Sequence, residues 1–586
     1  MAYRPGIVPA SPTPPPERVD VVVIGAGMGG LTAAAVLAKA GLCVCVLEMD
    51  ARPGGYLAGF RRKEFIFDSA IHWLNLCGPG GTVRRILDFV GPGAPETPQL
   101  RRIRRYRGDS FDYLLTNQPD ELRDELMADH PEQAAGVRDF FAAARMLGDA
   151  YADLARRMRS PETMSLVERT RAGMGMAKIG IAFGRYAGSS TEAGLDKRFK
   201  TPVLKKIFCS EERLVSCLTP VGWAYHGDYQ QPPKGGSRML PRFLAESCER
   251  FGGRVVYRAR VDKVLVSARK VAGVEALVGT RQQRHTIACD YVLASSDLET
   301  LYEKMLPKGA IDESLLGKIR EADIYESAVT ISIGLDVPAE QLGFGEELVM
   351  LTRDDVSRAE HNCTDPAKSA ISILAPSARD KTLAPAGKGT LTCLTTANIA
   401  YGERWKTGPN DARGPEYAEF KQGYADVLID RVAAALSPEL RAHIDLVDVA
   451  TPITHRRYTG NRDGSIMGGR PTRANMRNKI AHYKTPVENL LLSGHWAEYG
   501  GGVPAAVRAG SNAAMLVLQS ARPAAFEIFR DILDFKREPE DVDPALFQPL
   551  VALAPKKATG ACPGSGRRWS PSCAGAAGSR PGRSNR

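Results

Sequence analysis

The most constraining feature of the sequence is a stretch of 18 residues without a charge, residues 21–38. This length approaches that of a membrane-crossing helix, which needs roughly 17–25 apolar residues, but the internal order argues against one. The β-branched run 21–24 suits a strand buried on both faces. A glycine-rich turn, an alanine-rich helix ended by Gly41, and a second apolar strand at 42–47 follow. The order of strand, glycine turn, helix and strand predicts a βαβ unit.

The glycine turn has the spacing of a dinucleotide-binding motif. Gly25, Gly27 and Gly30 match G-x-G-x-x-G. The first glycine permits the tight turn, the second lets a pyrophosphate approach the backbone, and the third lets the helix pack against the strand. Glu48 ends the second strand, near the position ~20 residues on where an acid binds ribose hydroxyls. Its charge would repel a 2′-phosphate, which leaves NAD and FAD. The alternative is a plain glycine-rich turn between a buried helix and strand.

A second glycine turn follows at once, with Arg52 before Gly54 and Gly55. The pattern favours backbone and a fixed cation near phosphates; the alternative is a plain surface turn.

Together with four later segments, residues 20–55 resemble the phytoene desaturase, carotenoid isomerase and retinol saturase family of FAD-dependent oxidoreductases. The later segments are residues 67–72 with the glycines at 78–81, residues 233–237 with the helix and strands up to 264, residues 451–464, and residues 490–494 with 500–504. These segments span residues 19 to about 520, which is most of the chain.

The resemblance implies an α/β fold: a two-dinucleotide-binding (Rossmann-like) FAD domain, a separate substrate-side mixed β-sheet and a helical cap insert. The boundaries expected are a disordered segment 1–18, a discontinuous FAD domain 19–90, 230–300 and 450–525, a helical cap 91–229, a substrate-side domain 301–449, a C-terminal helix 526–555 and a disordered basic tail 556–586. The motifs and the resemblance predict these FAD contacts: Gly25, Ala26, Gly27, Gly30, Glu48, Arg52, Gly54, Gly55, Val261, Gly494, Gly502 and Val503. His495 stands where many flavoproteins carry an aspartate, which leaves the ribityl contact open.

The chemistry expected is that of the cofactor, because the sequence has no H-E-x-x-H, G-x-S-x-G or P-loop motif and no cysteine and histidine set with zinc-ligand spacing. The prediction is an FAD-dependent oxidoreductase that acts on C–C or C=C bonds of a lipophilic polyene or isoprenoid by hydride transfer at flavin N5. Desaturation, saturation and cis–trans isomerisation stay open. Glu498 and Tyr499 are the acid–base candidates.

Two other functions fit the same architecture. One is an amine-oxidase-like flavoenzyme, which would need an aromatic cage around the flavin. The other is a non-enzymatic prenyl-lipid carrier, against which the intact pyrophosphate motif argues. A nucleic-acid-binding module would need a basic face with interleaved aromatic residues, and the motif-bearing segments have none.

The formal net charge of +11 is unevenly distributed. Residues 156–206 hold 12 Lys/Arg and 4 Asp/Glu, and residues 556–586 hold seven basic residues and no acid. The rest of the chain is therefore slightly acidic. The basic segment 156–206 is predicted to lie on an anionic membrane surface or to form a cap with a solvated basic exterior. A second basic run, with five arginines in residues 101–107, suggests a clamp for an acidic substrate group or a strand with a solvated face.

The 11 cysteines show no C-x-x-C pattern, and the N-terminus has no apolar signal region. The expected location is the cytoplasm, with peripheral contact at the inner face of a membrane as the alternative.

Overall fold

The structure is a computed structural model that describes residues 14–69, 72–208 and 213–542. The segments 1–18, 526–555 and 556–586, whose disorder or helicity the sequence predicts, lie wholly or partly outside these residues.

The strands of the described residues are β1 (Arg18–Ile24), β2 (Val44–Glu48), β3 (Phe60–Arg62), β4 (Phe65–Phe67), β5 (Arg102–Arg107), β6 (Asp112–Thr116), β7 (Arg254–Tyr257), β8 (Ala259–Ser267), β9 (Lys270–Val278), β10 (Gln283–Ala294), β11 (Ser327–Leu335), β12 (Leu348–Leu351), β13 (Ile371–Leu374), β14 (Gly389–Ala397), β15 (Ile444–Ala450) and β16 (Leu490–Leu492).

The helices are α1 (Met28–Lys39), α2 (Thr82–Val90), α3 (Pro119–Asp129), α4 (Ala134–Ala155), α5 (Leu166–Ala187), α6 (Thr191–Asp196), α7 (Pro202–Ile207), α8 (Leu214–Tyr225), α9 (Met239–Arg250), α10 (Leu298–Thr300), α11 (Glu313–Arg320), α12 (Arg358–His361), α13 (Pro376–Arg379), α14 (Tyr401–Trp405, with positive φ at its three central residues), α15 (Pro415–Leu436), α16 (Pro452–Thr459), α17 (Arg473–Asn478), α18 (Gly502–Ala521) and α19 (Pro523–Leu533). None of these helices is long and apolar enough to cross a membrane.

The first sheet has five parallel strands in the order β7-β2-β1-β10-β16. Its centre is the β-branched strand β1, whose Val21, Val22 and Val23 are fully buried. Strand β10 serves two purposes, because its first half pairs antiparallel with β9 and its second half pairs parallel with β1 and β16. The predicted βαβ unit is confirmed as β1, α1 and β2.

The second sheet has the order β15-β11-β14-β13-β12-β5-β6. All its pairs are antiparallel except β12 with β5, so it is the mixed sheet that the resemblance implies. Helix α15 packs on one of its faces and forms a separate hydrophobic core with β11, β13 and β14. The opposite face of the second sheet is turned towards the first sheet, and its side chains line a cavity between them.

The helices from α3 to α8 form a third core together with β5 and β6. The sequence assigns β5 and β6 to the cap, whereas the structure places them in the second sheet as well. Residues 301–322, assigned from sequence to the substrate-side domain, pack into the core of the first sheet, as do α18 and α19.

Helices α1 and α18 touch through their backbones, although about 480 residues separate them. A Cβ atom on Gly510 of α18 would lie 2.2 Å from the carbonyl oxygen of Gly29. A Cβ on Gly29 would lie 3.1 Å from the carbonyl oxygen of Ala506 in α18 and 2.1 Å from that of Ser493, which precedes α18. All three distances are inside van der Waals contact. Two glycines therefore set how closely the second helix approaches the first.

We expect Gly510→Ala to lower the stability of the protein by about 1–3 kcal/mol, the usual cost of overpacking a tight core, because the opposing atoms are backbone and cannot rotate away. The matched control is Gly423→Ala in α15, where a Cβ would meet no described atom within 4 Å and the gain in helix propensity is up to about 1 kcal/mol. Thermal unfolding at one scan rate measures both. Equal midpoints for the two variants would contradict this account of the contact.

Candidate active site

Four parallel strands of the first sheet end at one crevice. Gly25 follows β1, Glu48 ends β2, Ser295 follows β10 and Gly494 comes two residues after β16, and all four line the same cavity. The hydroxyls of Ser295 and Ser493 are hydrogen-bonded at 3.0 Å, which ties the ends of β10 and β16 together. Ligands of open parallel sheets bind at the carboxyl ends of the strands.

Two helix N-termini face this crevice. Helix α1 begins after Gly27 and α18 begins after Gly501; neither has a side-chain cap or an acidic residue in its first turn. The three glycines at 500–502 all have positive φ, between 65° and 94°, a conformation that side chains rarely adopt. Uncapped N–H groups and the positive end of the helix dipole make such termini sites for anions.

The glycines of the first turn divide their roles as the motif predicts. A Cβ on Gly30 would lie 2.3 Å from the carbonyl oxygen of Gly25, so only glycine lets the helix start so close to the strand. A Cβ on Gly27 would meet no atom of the described residues within 4 Å, so the space in front of Gly27 is open. A pyrophosphate fits this open space, because it needs close approach to backbone N–H groups.

The second glycine turn lies beside the first. The N–H of Gly54 donates to the carbonyl of Ala26 at 2.8 Å, and Gly27 forms a β-bridge with Gly54. Both Gly54 and Gly55 line the cavity. The side chain of Arg52, by contrast, lies 3.6 Å from the carboxylate of Asp50, is 41% exposed and is not among the cavity residues.

Glu48 is held by backbone donors at the end of β2. Its two carboxylate oxygens accept from Ala26 N at 2.6 Å and Asp50 N at 2.8 Å. Burial raises the pKa of Glu48, while these N–H bonds oppose the rise. The carboxylate lies on the cavity wall with Val261 of β8, which is buried and belongs to the same wall. Glu48 and Val261, both predicted from the sequence as FAD contacts, therefore lie on the wall of one cavity.

The cavity has a volume of about 2650 Å³, well above the ~300–1,000 Å³ of most small-molecule sites. It runs from the glycine turns past Gly494, Gly502 and Val503 to the second sheet and the helical segment. The second sheet contributes Arg104, Leu348, Met350, Ser372, Leu394 and Thr396 to its wall, and the helices contribute Tyr151, Leu154, Phe183 and Trp223. The space therefore accommodates a dinucleotide and a second, elongated ligand.

Comparison with known proteins identifies the family. The model of the family "flavin containing amine oxidoreductase" matches residues 28–518, a range that begins at the first residue of α1 and includes the second glycine turn and the N-terminus of α18. The chain belongs to the flavin-containing amine oxidoreductase family. The family implies a flavin as the cofactor.

The similar proteins extend this result. The chain is 26% identical over 524 residues to the all-trans-retinol 13,14-reductase of Danio rerio, covering 82% of each chain. It is 25% identical over 470 residues to the chloroplastic prolycopene isomerase of Daucus carota, covering 78% of this chain and 72% of the relative. An oxidoreductase from Methanosarcina mazei superposes with a TM-score of 0.52 at 17% identity, over 86% of this chain and 100% of the other, which shows the shared fold. These relatives confirm the resemblance drawn from the motifs.

The structure separates the two acid–base candidates. The carboxylate of Glu498 accepts hydrogen bonds from the Tyr483 hydroxyl and from Arg508 Nη1, the latter at 2.9 Å, and Glu498 is not among the cavity residues. Tyr499 does line the cavity, but its hydroxyl donates to the carbonyl of Asn475 at 2.8 Å. Glu498 thus holds the start of α18 in place, and Tyr499 presents its ring to the cavity.

Three histidines line the cavity, and two of them, His72 and His495, have a buried Nε2 atom without a hydrogen-bond partner among the described residues. Burial lowers the pKa of each of these two to about 4, and for His72 the nearby Arg379 and Arg104 lower it further. Both imidazoles are therefore neutral at physiological pH. Each has one ring nitrogen to offer to a bound group.

The run of arginines at 101–107 forms strand β5, and its members have different surroundings. Arg102 pairs with Glu347 at 2.8 Å and Arg105 pairs with Asp112 at 2.5 Å. Arg104 points the other way: it is 6% exposed, lines the cavity, and has its guanidinium 5.6 Å from the ring centre of Trp73.

Sequence reasoning did not single out Arg104 or the wall of the second sheet. Five arginines in seven residues give no sign of which one is buried. Neighbours on the wall are set by strand register, which places Met350 opposite Ser372 and Arg104 opposite Leu348. The second of these pairs joins strands more than 200 residues apart in the chain.

We expect Gly27→Val to abolish flavin retention without unfolding the protein, because the new side chain enters the open space before α1, where a Cβ meets no described atom within 4 Å. The matched control is Gly184→Val, also on the cavity wall with no described atom within 4 Å of a Cβ but at the helical end. Visible absorbance per purified protein measures the flavin, and circular dichroism checks the fold. A Gly27→Val protein with a full flavin spectrum would rule out the predicted position of the pyrophosphate.

Proposed function

We propose that the protein is an FAD-dependent oxidoreductase that acts on C–C or C=C bonds of a lipophilic polyene. One observation carries the proposal: two uncapped helix N-termini, those of α1 and α18, face a single cavity that continues beyond them along a largely apolar wall. The first part suits a dinucleotide flavin, and the second suits a long apolar substrate.

The adenosine end of the cavity supports FAD over a mononucleotide flavin. Glu48 accepts backbone hydrogen bonds at the end of β2, at the place where an acid binds ribose hydroxyls, and Val261 lies beside it. A mononucleotide flavin has no adenosine to use these residues. When bound, the cofactor supplies two-electron chemistry by accepting or returning a hydride.

The residues of the chain bind and orient the cofactor and the substrate, and they exclude water. The N-termini of α1 and α18 hold phosphate and the ring system in one orientation, since both are anchored by the glycine contact between the helices. Tyr151, Phe183 and Trp223 form an aromatic wall in which the rings of Tyr151 and Phe183 are 4.8 Å apart. Such a wall keeps water from the reacting carbon and aligns an apolar chain, which is the main contribution of a protein to this kind of reaction.

The polyene is supported by two relatives, an all-trans-retinol 13,14-reductase and a prolycopene isomerase. These names cover saturation and isomerisation of conjugated chains, and both reactions use the same apparatus. The second candidate, amine oxidation, is favoured by the name of the family alone. A prenyl-lipid carrier is disfavoured, because a carrier needs neither the open space at Gly27 nor the acid at 48.

Two measurements test the proposal. Mass spectrometry of the cofactor released from purified protein is expected to show FAD; FMN or no flavin would overturn it. The loaded enzyme is offered all-trans-retinol, prolycopene and putrescine under two conditions: with its flavin chemically reduced, so that it can donate a hydride, and with its flavin oxidised and an electron-accepting dye present. It is expected to saturate or isomerise a polyene under the first condition or to desaturate one under the second. Turnover of putrescine with no change in either polyene would replace the proposed function by amine oxidation.

The position of Arg104 leads to a further prediction about substrate polarity. Its buried charge at the far wall is expected to hold the oxygen-bearing end of a substrate, and a hydrogen bond to a charged group is worth about 1.5–3 kcal/mol. Arg104→Leu should raise KM for all-trans-retinol about tenfold or more and leave KM for the hydrocarbon prolycopene within about twofold. An equal loss for both substrates would show that Arg104 only supports the fold.

A further inference from the structure

Helix α5 carries an unusual share of the exposed apolar surface. Among the described residues nine large hydrophobic side chains are exposed, and five of them lie on this one helix: Leu166, Val167, Met174, Met176 and Ile181. Their exposed fractions run from 40% to 80%. Soluble proteins scatter such residues singly, whereas a contiguous group marks an interaction surface.

The helix has two apolar faces. The residues that are buried or half-buried repeat at three- and four-residue steps, and these are residues 168, 172, 175, 179, 182, 183 and 186. They pack against α4 and α8, for example through Phe183 and Tyr151. The core therefore accounts for one face only. An ordinary surface helix would be polar on the other face.

The outer face is an apolar stripe. Val167, Met174 and Ile181 follow one another at intervals of seven residues, or nearly two turns, and are 61%, 64% and 74% exposed. Leu166 lies beside the first of them and is 80% exposed. We define these four residues as the α5 stripe. They do not line the cavity.

Exposed cations lie on and beside the α5 stripe. At 100° per residue, Arg185 has the angular position of Val167, Arg171 lies about 40° to one side, and Arg169 lies about 160° away on the side of Leu166; all three arginines are exposed. An apolar stripe accompanied by arginines matches a bilayer surface, where apolar side chains enter the acyl region and cations meet anionic headgroups. A second copy of the chain fits poorly, because a two-fold interface would bring these arginines together.

The cavity reaches the surface beside this helix. Phe183 and Gly184 of α5 and Gly188 just after it line the cavity, and Gly184 and Gly188 are exposed. A lipophilic substrate that partitions into a membrane would therefore find an entrance at the end of the same helix.

We propose that the outer face of α5 lies in the surface of an anionic lipid bilayer and sets the cavity mouth against it. This sharpens the membrane contact that the charge of residues 156–206 suggests, by naming the face and its residues. The entrance for substrate rests on the proposed function, but the lipid contact does not.

Flotation of the full, flavin-loaded chain with vesicles tests the contact. The vesicles are phosphatidylcholine alone or mixed equally with phosphatidylserine. Wild type is expected to float with the anionic vesicles and less with the neutral ones. The combined variant Val167→Asp, Met174→Asp and Ile181→Asp should weaken binding about tenfold or more. The combined variant Arg169→Gln, Arg171→Gln and Arg185→Gln should weaken it comparably and remove most of its salt dependence.

Matched controls separate the stripe from general surface effects. Val427→Asp changes an exposed hydrophobic residue on α15, and the combined variant Arg281→Gln, Lys308→Gln and Arg413→Gln removes three exposed cations elsewhere. Both should bind vesicles as wild type does. All variants should keep full flavin content, so loss of vesicle binding is distinguishable from failure of the flavin site.

Three flotation results would each overturn the proposal: wild type that floats with neither vesicle, stripe variants that bind like wild type, or controls that lose as much binding as the stripe variants do. The second result would assign any binding to other cations, including those of residues 556–586. A stripe variant that only changes the oligomeric state in gel filtration would identify the face as a contact between copies, and would overturn the proposal as well.

Discussion

The backbone contact between α1 and α18 is the constraint on which the active site depends. Gly29 and Gly510 let two helices from opposite ends of the chain approach until carbonyl groups leave no room for a Cβ. This approach brings the N-terminus of α18 to the crevice where α1 already begins. If the helices were held further apart, each terminus would still attract an anion, but they would not face one flavin.

The two ends of the cavity are also built from different kinds of groups. The end near β1 and β2 is built from backbone, glycine turns and one buried acid, which suits a polar cofactor that every member of such a family must bind. The far end is built from side chains of the second sheet and of helices α4, α5 and α8. Under the proposed function, specificity for substrate would depend on the part of the chain in which side chains, rather than backbone, form the wall.

Much of the first part was predictable because its signals are local. Strand β1, the glycine turn, α1, β2 and Glu48 occupy one continuous segment, and each has a residue pattern with a single good structural solution. The late strand β16 and helix α18 were recognised for the same reason. Glu498 and Tyr499 are predicted as acid–base candidates because they are close in sequence to that turn. The structure shows that the carboxylate of Glu498 accepts hydrogen bonds from Tyr483 and Arg508. Closeness in sequence cannot reveal these partners.

The dinucleotide-binding unit, the family resemblance and the uneven distribution of charge can all be predicted without a structure. The signal for each lies in short segments or in composition. Only the tertiary structure decided which arginine of β5 is buried, which residues of β12 to β14 share the cavity wall, and that α5 turns an apolar face outward. These properties depend on strand register and on helix rotation against a neighbour. Both are set by packing between segments distant in the chain, and no local pattern encodes them.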